Sequence, residues 1–169
     1  LDVFIIIFSS ERYRMFGSAA AMMSLTRGLM GLTSGLSPVL LERIIRPKSA
    51  IALRRTLSFS WILMSIGILI TYSACFFGYV VGLIFFLGGT CILAFGGGMI
   101  WVYSTIILQK SSPENYVGRV LAFDFGFANS LFECCAAVIV GLLIDSKAIS
   151  IDSVIALNMF FTFAVTIFW

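Results

Sequence analysis

The stretch Thr56 to Gln109, TLSFSWILMSIGILITYSACFFGYVVGLIFFLGGTCILAFGGGMIWVYSTIILQ, contains no charged residue. As one helix at 1.5 Å per residue it would run about 80 Å, against about 30 Å for the hydrocarbon core of a bilayer. It must fold back once. Gly78 offers the flexibility for a turn near Cys75 to Tyr79, which leaves expected spans at 56–74 and 79–108.

Working outward, the sparse charges punctuate the rest of the chain. The expected segments are 1–8 (partial), 15–41, 56–74, 79–108, 120–144 and 153–169. The composition agrees, with 60% hydrophobic and 11% charged residues and a mean hydropathy of +1.08. A soluble domain carries about 25% charged residues, and a disordered chain needs low hydrophobicity, so both classes are excluded. The expected fold class is all-α, a polytopic membrane protein whose first partner is the lipid bilayer.

Orientation follows from Lys and Arg in alternate loops. Those after the second and fourth segments hold Arg43, Arg46, Lys48, Arg54, Arg55, Lys110 and Arg119, whereas the others hold Arg12, Arg14 and Lys147. The richer set belongs in the cytoplasm. A net charge of +3, dispersed in this way, leaves no footprint for nucleic acid. The chain begins at Leu1 without a signal-type segment and stops at Trp169 inside an apolar run, which reads as a fragment of a longer membrane protein.

Chemistry-bearing residues are few. Histidine is absent, which removes the commonest metal ligand and general base. Cys75, Cys91, Cys134 and Cys135 lack the spacing of a metal or redox motif and are expected as buried free thiols. No nucleotide, hydrolase or haem signature is present, so the expectation is a protein that is not an enzyme and uses no cofactor or metal.

Arg27, Asp124 and Glu133 are ionisable groups inside apolar segments, where such groups normally face a bundle interior or an aqueous cavity. Arg27 and Glu133 lie at matching depth, about 21 Å from the cytoplasmic end at 1.5 Å per residue. They are expected to pair or to share one polar cavity, with structural charge compensation as the competing reading. Asn129 and Ser130 extend the Glu133 face. Asp124 falls half a turn away from Glu133 at 100° per residue, and near enough to Arg119 for a local ion pair or helix-end contact.

Glycines mark close approach or bending. Gly31 and Gly35 form a GxxxG pair and Gly96, Gly97 and Gly98 a triple run, to be read as helix packing or as a hinge lining a pathway. Trp101 and Tyr103 follow the triple run, open to packing or to contact with a solute.

The stretch GGGMIWVYSTIILQKSSPENYVGRVLAFDFGFANSLFECCAAVIVGLLIDS resembles the tenth and eleventh helices of major facilitator superfamily transporters. A small-residue helix ends at Leu108 and Gln109, a loop carries Pro113 and then Gly118, Arg119 and Val120, and a further helix closes on Gly141 and Asp145. Val117 stands where the family's loop has its first Arg. The Gly and Asp of the basic loop between the family's eighth and ninth helices are also missing here, and only its charge is kept, in Arg43, Arg46, Arg54 and Arg55.

The similarity is nearest to the branch that includes macrolide and siderophore exporters. It implies helices seven to twelve of a twelve-helix carrier, a partner N-terminal half, a small-molecule substrate, efflux by alternating access, and Arg27 and Glu133 at substrate or proton positions. The alternative is a membrane scaffold or receptor-like protein that transports nothing.

Overall fold

The computed structural model describes residues 18–44, 49–146, 153, 156–157 and 160–164. The expected segment 1–8 lies outside the described residues, and so does most of 153–169. The described chain is helical: α1 (Ala19–Ile44), α2 (Ala50–Ser73), a single 3-10 turn (Ala74–Phe76), α3 (Tyr79–Ser111), α4 (Val117–Ala122), a π-helical segment (Phe123–Asn129) and α5 (Ser130–Asp145).

Local chemistry sets the helix ends. The Ser49 hydroxyl accepts the Ala52 N–H at 3.1 Å, capping α2. The uncharged stretch reverses through Ala74–Phe76 and an extended Phe77 to Gly78, the residue before α3. At the far end of α3 the Ser112 N–H and hydroxyl both donate to the Leu108 carbonyl, and Pro113, next in sequence, ends the helix.

Among the described residues three helical stretches are long and apolar enough to cross a membrane: Ile51–Phe76, Tyr79–Ser111 and Val117–Ile139. The first helix, α1, has spanning length at 26 residues but is not among them. Arg27, Glu42, Arg43 and its many Ser, Thr and Gly residues dilute its hydropathy.

The packing core is α2 against α3 and α1 against α3. Met22, Met30, Ile68, Ala74, Phe86, Leu93 and Ala94 form one apolar cluster, and Leu41, Leu53, Leu57, Met99 and Tyr103 form a second. Along the chain, α1 and α3 run the same way through these clusters, and α2 runs against both.

Small residues bring these helices together. A Cβ on Gly67 would meet the Leu93 backbone, one on Gly89 would meet the Thr71 N at 2.5 Å, and one on Gly96 would meet the Ser60 carbonyl oxygen at 2.8 Å. Buried hydroxyls find acceptors within their own helices. Thr26, Ser60, Thr71 and Thr90 each donate to the carbonyl four residues back at 2.7 to 2.8 Å.

The α4 to α5 arm is different. Among the described residues α5 packs on the π segment and has no extensive contact with another helix, and Leu131, Phe132, Val138, Ile139 and Leu142 are exposed. This corrects the expectation of buried thiols: none of the four cysteines is in a disulfide, but Cys134 and Cys135 are exposed and Cys75 and Cys91 only half-buried. The π segment also corrects the angular count between Asp124 and Glu133. A π turn takes one more residue than an α turn, so 100° per residue does not hold across Phe123–Asn129.

Candidate functional site

An open cleft of about 540 Å³ lies between α1 and α3, with Met64 of α2 at its edge. From α1 it is lined by Arg27, Met30, Gly31 and Ser34, and from α3 by Leu93, Ala94, Gly97, Gly98 and Trp101. The α1 set is one helical face at i, i+3, i+4, i+7 spacing, and the α3 set has the same spacing from Ala94 with Leu93 beside it. The volume falls within the roughly 300–1,000 Å³ usual for small-molecule sites.

Its shape comes from the glycines, which divide by role. A Cβ on Gly98 would strike the Ser34 carbonyl oxygen, so Gly98 sets the distance between α1 and α3. By contrast Gly31 and Gly97 have open space where a Cβ would stand, and their missing side chains widen the cleft. The neighbouring Gly96 packs on α2, whereas Gly35 also faces open space. α3 runs through the triple glycine without a break.

Pro38 contributes from the α1 interior. Lacking an N–H, it cannot donate to the Ser34 carbonyl one turn back. The fully buried Ser37 hydroxyl makes that bond instead, at 2.9 Å, and holds the α1 wall in place.

At the rim, the Trp101 indole is half exposed and packs on Phe125 of the π segment, ring centroids 4.9 Å apart. The α4 arm therefore touches the cleft through an aromatic pair. Arg27 is exposed on α1 and is the ionisable side chain among the described lining residues.

Of the residues singled out in the sequence, the structure brings together Arg27, Trp101, Gly31, Gly97 and Gly98. Asn129 ends the π segment and Glu133 stands in the first turn of α5, and the side chains of both lie outside the described set. The loop residues gather elsewhere: Gln109 is exposed near the α3 terminus, Pro113 follows it, and Gly118 and Arg119 open α4. The Arg119 guanidinium lies 5.7 Å from the centroid of the Tyr116 ring. Half-buried Asp124 lies in the first turn of the π segment.

Met30, Ser34 and Met64 are lining residues that sequence reading passed over. Counting three and seven residues on from Arg27 would have found Met30 and Ser34. Nothing in the sequence points to Met64, which reaches the cleft only because α2 packs behind α3. Among the described residues no group of His, Cys, Asp and Glu could hold a metal ion. No family model, curated protein or solved structure matches the chain.

Proposed function

We propose that this chain is the C-terminal six-helix half of a major-facilitator-type secondary transporter, moving a small solute by alternating access and exporting it. The observation that carries this reading is the cleft between α1 and α3, where a cationic side chain and an indole face a mostly apolar cavity flanked by spanning-length helices. The resemblance of the Gln109 to Arg119 loop to the family's loop between helices ten and eleven supports it. In this reading an N-terminal half completes the carrier, and no catalytic step is involved.

In this reading Glu133 serves as the proton carrier, a carboxyl group that takes up and releases a proton as it is presented to each aqueous side. The test is pH-gradient-driven flux of labelled organic solutes in proteoliposomes. Glu133→Gln is expected to abolish coupled flux while the protein keeps its helical circular dichroism and elution profile. Undiminished coupled flux in that variant rejects the coupling role, and no solute flux in the parent protein rejects the transporter. The uncovered apolar face of α5 favours a second reading, a scaffold or receptor-like protein in which that face docks another helix. That reading predicts no flux and no thermal stabilisation by any solute.

A further inference from the structure

We propose that the end of the bundle where α1 and α3 finish and α2 and α4 begin is a docking surface for anionic phospholipids, whose headgroups lie against its arginines and lysine. The inference is independent of the solute reading and holds for a carrier and for a scaffold alike.

The packing brings the cations to one end. Leu41 of α1, Leu53 of α2 and Tyr103 of α3 belong to one buried cluster. Arg43 stands two residues past Leu41, Arg54 and Arg55 directly follow Leu53, and Lys110 lies seven residues beyond Tyr103, about two turns along α3. Arg119 opens the arm that leaves the same end, in α4. All five side chains are exposed.

They are also available. Among the described residues none of the five sits in an ion pair, and neither Glu42 nor Glu114, the carboxylates at this end, neutralises one by direct contact. Five cations against two carboxylates leave three net positive charges, with half-buried Asp124 farther along the arm. At the opposite end, the described start of α1 and the turn from Ser73 to Tyr79 carry no charge. An anion in the surrounding leaflet is therefore attracted to one end of the bundle and not to the other.

The surroundings of the cations select a lipid over a soluble anion. Ile44 and Ile51 are exposed large apolar side chains beside Arg43 and near Arg54, and the exposed Tyr116 ring carries the Arg119 guanidinium 5.7 Å from its centroid. Arginine and lysine stems lie along apolar surface while their charged heads reach the headgroup level, and tyrosine favours the same level. An occupant with an anionic head and acyl chains covers both parts, whereas a soluble anion leaves the isoleucines bare. Guanidinium groups add paired donors matched to phosphate oxygens.

The experiment measures lipid binding to the full chain in a neutral detergent by native mass spectrometry, with phosphatidylglycerol and phosphatidylcholine of identical acyl chains. A basic side chain near an anionic membrane surface strengthens association about fivefold, so phosphatidylglycerol should bind at least about fivefold more tightly than phosphatidylcholine. The triple variant Arg43→Gln, Arg54→Gln, Arg55→Gln balances the charge at this end and should bring the two lipids within about twofold, with helical circular dichroism and elution profile retained. The matching triple change to Lys should keep the preference, because it keeps the charge. Soluble glycerol 3-phosphate should not displace the bound lipid at equal concentration.

Equal affinity of the parent chain for the two lipids overturns the proposal, as does an undiminished preference in the triple Gln variant. Displacement by glycerol 3-phosphate as effective as by phosphatidylglycerol overturns it too, and makes a soluble phosphate the occupant.

Discussion

Gly98 of α3 stands directly against the carbonyl oxygen of Ser34 on α1, the same carbonyl that Pro38 leaves without its helical donor. A backbone discontinuity in one helix and a missing side chain in the other thus meet at one point beside the cleft. In a membrane this matters, because helices associate through close packing and interhelical contacts rather than through exclusion of water.

Gly98→Ala should push α1 and α3 apart, at a cost of about 1–3 kcal/mol typical of overpacking. Gly97→Ala, with open space at its Cβ, is the matched control. Thermal unfolding of both variants in the same detergent decides. Equal melting temperatures would refute the packing role assigned to Gly98.

Ser37→Ala removes the hydroxyl bonded to the Ser34 carbonyl and leaves a buried acceptor unpaired, costing about 1–3 kcal/mol. The double variant Ser37→Ala with Pro38→Ala restores a backbone N–H for that carbonyl and should recover most of the loss. If the second substitution adds to the damage of the first, the hydrogen-bond account of the Pro38 turn is wrong.

Trp61 holds a buried indole N–H with no acceptor among the described residues. Trp61→Phe deletes that donor while keeping an aromatic ring, so stability should hold or rise by up to about 1 kcal/mol, the size of a relieved unsatisfied group. A melting temperature lowered as far as in Gly98→Ala would show that the indole has a role which its unpaired N–H does not reveal.

The connections at Ser49 and Asn115 lie at one end of the three-helix packing, and Gly78 lies at the other. Single cysteines at these positions in a cysteine-free background should label with an impermeant maleimide from opposite sides of intact cells. In the orientation expected from the loop charges Ser49 and Asn115 lie inside, so only the Gly78→Cys variant should react from outside. Labelling of all three from one side would disprove a pair of membrane crossings by α2 and α3.

Much of this was legible in the residues. The uncharged run from Thr56 to Gln109 exceeds any single span, so its reversal near Gly78 follows from length and charge alone. The ends at Ser49 and Pro113 are written in capping and proline chemistry. Less legible was the π segment at Phe123–Asn129, because periodicity assumes a constant angular step and a change of hydrogen-bond register leaves no mark in composition.

The candidate site divides in the same way. The sequence by itself determined that Arg27 shares a face with Gly31 on one helix and that Trp101 shares one with Gly97 and with Gly98 on another, because residues three and four apart share a side of any α-helix. Which glycine packs and which opens a cavity was decided only by the tertiary structure. Gly96, Gly97 and Gly98 are chemically identical and adjacent, yet at about 100° per residue they point in three directions. Only the placement of α1 and α2 around α3 determines that the first meets Ser60, the third meets Ser34, and the one between them faces the open cleft.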